Sequence, residues 1–379
     1  MSEEEKDDIY IKLREYLDTM PVGFPATESG VELKILRYLF TPEEAEVALR
    51  LGIIPQPLKK IYRHFRRKGR DIDEIKSILD NMLKKGLING GTGKDGDKMY
   101  YAIAFLVIGM YEYQVNKMTK EFAELMQQYI DEAFMDEILV NTIPQLRTIP
   151  AKESIKTIEI NESVEHKNIV APYDDIDKLL DQCSDTVSVA ECICRQEREL
   201  IGEPCKHTKE TCLQFGSAAH LYVDNGWARM INKEKAREIL KVAQDEGLVL
   251  QPTTSKRPSA ICCCCGCCCG ILSNAKKLEK PAPHFFTNHY AEVDAELCEG
   301  CCICVDRCPM DAITFTEDEI CEVNLDRCIG CGVCVTGCPA EAIHLVRKKE
   351  IQEPPKNMMH LYQLIGKKKA LQKRKKSEN

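Results

Sequence analysis

The sequence predicts a multi-domain α+β protein in which a cysteine-free N-terminal part precedes a cysteine-rich C-terminal part. Three observations support this prediction. The chain has 379 residues, enough for two or three domains at roughly 150 residues per domain. Hydrophobic residues make up 44% and charged residues 30%, a balance that supplies folded cores and excludes general disorder. All 22 cysteines lie at or after Cys183, so the composition itself marks a domain boundary.

The composition also predicts the compartment and the kind of chemistry. The N-terminus is acidic, whereas a secretory signal begins basic and continues apolar. The longest apolar stretch, residues 102–110, is less than half of the roughly 20 residues that cross a bilayer. We therefore expect a soluble, cytoplasmic protein without membrane insertion, whose thiols bind metal or carry out redox chemistry. The net charge of −8 disfavours a polyanion as the main partner.

The two ends of the chain have opposite character. Residues 1–29 are acidic and contain proline and glycine, which predicts an acidic arm. Residues 348–379 form a basic tail, because seven of the ten residues 367–376 are lysine or arginine. We expect this tail to be solvated, or to dock to an acidic partner.

Helix signals begin after the arm. Residues 31–40 have a helical pattern, and Thr41 with Glu44 forms a capping-box signature that starts a second helix. A later helix is predicted to begin after Asp71 and to stop at Gly86, with six apolar residues at helical spacing.

Residues 87–102 predict a two-stranded hairpin with a glycine-rich tip. Helices followed by a hairpin resemble a winged helix, here over residues 30–115. Winged helices bind either DNA or other proteins. The basic run at residues 59–70 could meet phosphates, but the candidate recognition helix mixes three lysines with three acidic residues that would repel them. We therefore expect protein docking or packing, and do not expect a nucleic acid partner.

Residues 116–180 are predicted to form a helix and a connector. One helical stripe, which we expect to pack in a core or between domains, contains Phe122, Leu125, Met126, Tyr129, Ala133 and Phe134. Residues 141–180 contain three prolines and few turn signals, which is typical of a connecting segment.

The most specific pattern lies near the C-terminus. The motif C-x2-C-x2-C-x3-C-P begins at Cys298 and again at Cys328. It resembles the bacterial-type two-cluster ferredoxin family, and we assign residues 284–347 to such a domain. The resemblance implies a ferredoxin-like (βαβ)2 fold with two [4Fe–4S] clusters, each bound by three thiolates of one motif and the last cysteine of the other. On that pattern one cluster takes Cys298, Cys301, Cys304 and Cys338, and the other takes Cys328, Cys331, Cys334 and Cys308.

A pair of four-cysteine zinc sites is the alternative for this motif. Zinc sites pair two C-x2–4-C units and do not require a duplicated triple with a remote Cys-Pro. Cys302, which stands where the second motif has Gly332, and Cys321 are not needed as ligands. We expect both to be small buried thiols beside the clusters.

Twelve further cysteines lie in residues 181–275, which we predict to be an α-rich, metal-binding domain. Seven of them fall within residues 262–269, a density that no packing requirement explains. Neighbouring residues of an extended chain point to opposite sides, so we do not expect all seven to bind. We predict one or two additional iron–sulfur clusters. The candidate ligands are Cys192, Cys194, Cys205, Cys212, Cys262, Cys264, Cys265, Cys267, Cys268 and Cys269. Alternatives are a zinc site that uses Cys205 and His207, a vicinal disulfide, and a metal-storage tract.

The resemblance implies an iron–sulfur electron-transfer protein, or an electron-transfer subunit of an anaerobic oxidoreductase system. It would move single low-potential electrons between redox protein partners through two [4Fe–4S] clusters and an additional upstream cluster. Two alternatives are a winged-helix regulator that senses redox state or oxygen, and a reductase with an unusual catalytic cluster. The sequence has no dinucleotide-binding glycine motif, no Walker loop and no Ser/His/Asp signature. A carrier or oxidoreductase subunit is therefore favoured over a stand-alone enzyme, and we assign no catalytic residue.

Overall fold

The computed structural model describes residues 3–92, 99–140, 143–155 and 170–377. Three clusters of buried side chains hold these ranges together. One lies in the N-terminal helical part, one along a face of a central β-sheet, and one in the C-terminal cysteine-rich part. No helix in the described ranges is both long and apolar enough to cross a bilayer.

The N-terminal part consists of helices and one small sheet. Its elements are α1 (Glu3–Asp18), α2 (Val31–Leu39), α3 (Pro42–Ala48), β1 (Gln56–Pro57), α4 (Leu58–Arg66), α5 (Ile72–Lys85), β2 (Ile88–Thr92), β3 (Met99–Ile103), α6 (Lys120–Tyr129) and α7 (Met135–Val140). The strands pair antiparallel in the order β1–β3–β2, so that β2 and β3 form the expected hairpin. Its tip, residues 93–98, lies outside the described ranges. The winged-helix assignment stays a prediction.

The helix ends form as the local sequence predicts. Thr41 Oγ1 accepts a hydrogen bond from the Glu44 amide at 3.2 Å, and Glu44 Oε2 accepts one from the Thr41 amide at 2.8 Å. Both halves of the capping box are therefore present. Asp71 caps the start of α5, and Gly86 ends it in the left-handed conformation at φ 75°.

The first 29 residues are not an arm, because most of them form the packed helix α1. Tyr10, Leu13 and Leu17 are buried against α2 and α3. Their spacing of three and four residues is a helical stripe, which the high acidic content of the segment obscures.

The helical stripe of residues 122–134 is buried, apart from the half-buried Leu125. A single π-helical turn, Ile130–Phe134, joins α6 to α7. Both Ile130 and Phe134 then face a cavity that is described below.

The middle part contains the predicted helices, but they are arranged around a five-stranded antiparallel sheet that the sequence did not predict. Its elements are α8 (Lys152–Ile155), α9 (Ile176–Gln182), β4 (Val187–Glu191), α10 (Ile193–Leu200), β5 (Glu210–Phe215), α11 (Ser217–Asp224), β6 (Arg229–Ile231), α12 (Lys233–Asp245), β7 (Val249–Pro252), β8 (Ala260–Cys264) and α13 (Gly270–Ala275). The strand order is β6–β4–β5–β8–β7. The strands have three to six residues, so their alternation is too short to stand out beside the 13-residue helix α12.

The two faces of this sheet have different partners. α12 covers one face, where Val187, Leu213 and Leu240 are buried together. The other face meets α11 and the N-terminal part, and the rings of Tyr113 and Trp227 stack at 4.9 Å where these parts join. The N-terminal part is therefore packed on the cysteine-rich sheet.

Residues 143–155 are part of the sheet region and not a free connector. Leu146 bridges to Thr253, and Ile149 bridges to Leu250, beside β7. The fully buried Arg147 forms an ion pair with Asp174 at 2.8 Å. The remainder of the expected connector includes residues 156–169, which lie outside the described ranges.

The C-terminal part has two antiparallel two-stranded ribbons. Its elements are β9 (His289–Val293), α14 (Ile303–Arg307), β10 (Ile313–Phe315), β11 (Cys321–Val323), β12 (Ile343–Arg347) and α15 (Met358–Ser377). β9 pairs with β12 and β10 with β11. The (βαβ)2 fold implied by the resemblance requires a helix between the strands of each half. The helical turns α14 and Val335–Gly337 come before Cys308 and Cys338, and turns follow each Cys-Pro.

The basic tail forms α15 and packs back onto the N-terminal part. Leu361 and Ile365 are buried, and Lys369 forms an ion pair with Glu137 at 2.7 Å. The prediction of a solvated tail is therefore wrong for the packed face of this helix, whereas Lys367, Ala370 and Leu371 are exposed; the described side chains end at residue 372.

Candidate metal centres

The two cysteine motifs at the C-terminus adopt matching backbone conformations. Three pairs of equivalent positions have positive φ: Gly300 (65°) with Gly330 (63°), Cys302 (60°) with Gly332 (72°), and Asp311 (49°) with Glu341 (52°). Left-handed residues turn the chain sharply, so each loop can direct several thiols to one point. The internal repeat in the sequence is therefore also a repeat in structure.

The last cysteine of the first motif lies with the triple of the second. Cys308, Cys328, Cys331 and Cys334 line one cavity of about 20 Å³. Burial raises the pKa of the Cys331 thiol and of the Cys308 thiol. Thiols whose deprotonation is opposed by burial, such as those of Cys331 and Cys308, are stable as thiolates only beside compensating positive charge, which iron supplies. This donor set fits an iron–sulfur cluster.

The other quartet lies closer to the surface. Cys301 is exposed, whereas Cys304 is buried and within electrostatic reach of Cys338. The Cys321 amide donates to Cys298 Sγ at 3.4 Å, and this hydrogen bond lowers the pKa of the Cys298 thiol. An amide that donates to a ligating sulfur stabilises its negative charge, as expected around a cluster.

The two unassigned cysteines of this region lie beside the quartets. Cys321 is buried, and desolvation raises the pKa of its thiol to about 12. The thiol of Cys302 donates to the Gly300 carbonyl at 3.4 Å.

Upstream, eight cysteines line a second cavity, which we call the thiol chamber. Six of them, which we call the chamber cysteines, come from β5, β8 and the first turns of α10 and α13, and they are Cys192, Cys194, Cys212, Cys262, Cys264 and Cys269. The other two, Cys263 and Cys265, also belong to the buried cluster under α12. The cavity has a volume of about 90 Å³. Apolar side chains such as Val107, Ile130 and Phe134 line the rest of its wall.

Each chamber thiol affects the pKa of its neighbour, in the order Cys192, Cys194, Cys269, Cys264, Cys262 and Cys212. Hydrogen bonds from Cys212 and Cys264 lower the pKa of Cys262, and those from Cys194 and Cys264 lower the pKa of Cys269. Two thiolates are thus stabilised in an apolar cavity, and six sulfur donors exceed the four that one cubane requires.

A third group, which we call the compact quartet, lies on the other side of the cysteine run. It consists of Cys205, Cys265, Cys267 and Cys268, whose sulfur atoms all lie within 4.8 Å of one another. Hydrogen bonds from Cys268, together with the charge of Arg195, lower the pKa of Cys265 to about 4.

The alternation of side chains along β8 explains why neighbouring cysteines lie in different clusters. Cys264 is buried in the cluster that also contains Cys269, and Cys262 packs against that cluster, whereas Cys263 is buried in the core under α12, where Cys183 also lies. The side chains of β8 therefore alternate between two buried clusters, while the ligand assignment stays a prediction. Cys263 and Cys183, which were not among the predicted ligands, are core residues.

Two charged residues of the site were not identified from the sequence. Arg195 is buried and donates to the carbonyls of Thr208 and Cys263 at 2.7 Å and 3.0 Å, which ties two cysteine-bearing segments together. Although burial opposes it, the thiolate charges of Cys192 and Cys265 raise the pKa of Arg195. Glu112 lines the chamber, where burial raises the pKa of its carboxyl to about 8. Arg195 directly follows Cys194, but no local pattern singles out Glu112.

Residues 297–342 match the model of the 4Fe-4S dicluster domain. No curated protein and no solved structure matches the chain. The match covers both cysteine motifs, so the C-terminal part of this protein carries a 4Fe–4S iron–sulfur domain.

Proposed function

We propose that the protein transfers single low-potential electrons from a redox partner through two [4Fe–4S] clusters to a further iron–sulfur cluster in the thiol chamber. Iron–sulfur clusters supply one-electron redox chemistry, and their potential depends on burial and on hydrogen bonds to sulfur. In the dicluster domain we assign one cluster to Cys298, Cys301, Cys304 and Cys338, which lie closer to the surface and which we call the exposed quartet. We assign the other to Cys308, Cys328, Cys331 and Cys334, which we call the buried quartet. The exposed quartet would face the partner, and the buried quartet would face the chamber.

The observation that carries this proposal is a contact between the cysteine run and the first Cys-Pro. A Cβ atom on Gly266 would lie 2.5 Å from the Pro309 carbonyl oxygen and 3.0 Å from Pro309 Cα. Only glycine allows two backbones to come this close. The residue before Pro309 is Cys308, a ligand in the buried quartet, so the loop that carries the upstream thiols touches that site directly.

Burial supports the same route. The chamber cysteines Cys264 and Cys269 belong to one continuous buried cluster with Cys304, Cys328 and Cys334 of the dicluster domain. A dry connection between two redox sites excludes water and keeps the distance short. The chamber is thus the inner end of the proposed electron path.

The chamber also favours a second candidate function, a reductase whose substrate reacts at the inner cluster. Burial keeps Glu112 protonated at neutral pH, so this carboxyl could donate a proton beside the thiols. A carrier has no need of such a proton donor. The alternative of a DNA-binding regulator has less support, because Lys68 pairs with Glu46 at 2.5 Å and Lys76 with Asp80 at 2.6 Å, which neutralises part of the basic surface. The N-terminal part would serve as a docking and packing module.

The substitution Gly266→Ala tests the proposed path without removing a ligand. We expect the added methyl group to push the loop away from Pro309 and to slow electron transfer from the dicluster domain to the chamber several-fold. The measurement is freeze-quench electron paramagnetic resonance after rapid reduction of the anaerobically purified full chain. Total iron should be unchanged.

The matched control is Gly270→Ala, four residues along the same segment. Its Cβ would lie 3.6 Å from Ile130 Cδ1, an ordinary contact, so we expect the wild-type rate. Equal rates in Gly266→Ala and the wild type would refute the path. A wild-type protein with only the iron of two cubanes would refute the inner cluster.

A further inference from the structure

We propose that the compact quartet, Cys205, Cys265, Cys267 and Cys268, binds a single zinc ion in a tetrahedral site separate from the iron–sulfur clusters. This site is independent of the proposed electron path, since zinc does not change its oxidation state.

The sulfur–sulfur distances match a single tetrahedral ion. Cys205 Sγ lies 3.8 Å from Cys265 Sγ and 3.6 Å from Cys267 Sγ, and Cys267 and Cys268 Sγ are 3.6 Å apart. A zinc–sulfur bond of about 2.3 Å in a regular tetrahedron places the sulfur atoms about 3.8 Å apart. Three of the six sulfur–sulfur distances therefore already have the spacing that one ion would impose, and the other three do not exceed 4.8 Å.

The sulfur–sulfur spacing also separates this quartet from the cluster sites. In a cubane each thiolate binds a different iron, so the sulfur atoms lie around the cluster and not around one point. Within the described ranges, no other group of three or more cysteine, histidine or acidic side chains has ligand atoms within 4.8 Å of one another. The two dicluster quartets and the thiol chamber are more open, as multi-iron sites require.

The chemistry of the donors favours zinc with four thiolates. A closed set of four cysteines, with no position left for water or substrate, is the pattern of structural zinc. His207, the nearest histidine in sequence, has its Nδ1 atom 3.5 Å from Glu246 Oε2 and is not part of the quartet. The buried guanidinium of Arg195 supplies positive charge within electrostatic reach of Cys265.

The position of the quartet gives the ion a structural role. Cys265 directly follows the chamber residue Cys264, and Cys268 directly precedes the chamber residue Cys269. An ion on one side of this loop, tied to Cys205 on another segment, would fix the two chamber thiols on the other side. The zinc site would thus fix the loop that carries two of the chamber thiols.

The test is the metal content of the anaerobically purified full chain, with zinc K-edge X-ray absorption. We expect one zinc per chain with four sulfur ligands at about 2.3 Å. Cys267→Ser removes the exposed ligand, so we expect loss of the zinc with retention of the dicluster resonance signals. The control His207→Ala should retain the zinc.

Three results would overturn the proposal. They are the absence of zinc from the wild type, the loss of several irons in Cys267→Ser, and the presence of one mononuclear iron in place of zinc. If Cys267→Ser does not fold, the wild-type absorption spectrum decides alone. Four sulfur neighbours support the site, and oxygen or nitrogen neighbours exclude it.

Discussion

Gly332 and Cys302 occupy equivalent, left-handed positions in the two cysteine loops. Adding a side chain at Gly332 and removing the one at Cys302 therefore measures how strongly each position requires glycine. In Gly332→Ala the new Cβ would lie 2.2 Å from Ser154 Oγ and 3.1 Å from Leu345 Cδ1. Left-handed strain costs about 1–2 kcal/mol, and overpacking costs about 1–3 kcal/mol. We therefore expect the free energy of unfolding to fall by about 2–5 kcal/mol.

Cys302→Gly should have the opposite or no effect. Removing the side chain relieves about 1–2 kcal/mol of left-handed strain, while the greater freedom of glycine in the unfolded chain offsets about 0.4–1 kcal/mol. The net expectation lies between no change and about 1.5 kcal/mol of stabilisation. The variant also loses the hydrogen bond to the Gly300 carbonyl and the packing of Cys302 against the buried cluster that contains Cys304, so we expect the lower end of this range.

The assay is anaerobic urea unfolding of the iron-loaded full chain, followed by far-ultraviolet circular dichroism, with iron content as a second readout. Both variants should retain full iron, because neither position is an assigned ligand. A Gly332→Ala protein as stable as the wild type would show that Ser154 does not pack there. A Cys302→Gly protein that lost iron or more than about 2 kcal/mol would make the Cys302 side chain a required group and refute the reasoning.

Two further predictions concern the buried quartet and the buried carboxyl group of Glu197 in α10. Cys308→Ser should abolish the magnetic coupling between two reduced clusters and keep one ferredoxin-type resonance signal. The control Cys302→Ser should keep the signals of both clusters. Loss of a cluster in Cys302→Ser but not in Cys308→Ser would contradict the ligand assignment. Burial raises the pKa of Glu197 from 4.5 to about 7, so between these pH values the folded protein holds a proton that the unfolded chain releases. The free energy of unfolding therefore falls as the pH rises from about 4.5 to 7. Glu197→Gln should flatten that part of the stability profile in anaerobic unfolding at several pH values, and an unchanged profile would exclude Glu197 as its cause.

The local signals and the dicluster motif were determined by the sequence alone. Thr41, Asp71 and Gly86 act on atoms within four residues, so their hydrogen bonds form as the local pattern predicts. The duplicated motif beginning at Cys298 is similarly local, because each loop sets the direction of its own three thiols. The alternation along β8 follows from the geometry of any extended strand.

Only the tertiary structure decided which thiols share a site. Cys205 and Cys265 are 60 residues apart, and Cys212 meets Cys262 because β5 and β8 pair, which no local pattern encodes. The five-stranded sheet itself depends on pairing between strands of three to six residues, each too short to be distinguished alone. The burial of Arg195 likewise results from elements that meet only in the fold. Local interactions fix what each segment can form, and long-range packing fixes which centres those segments build together.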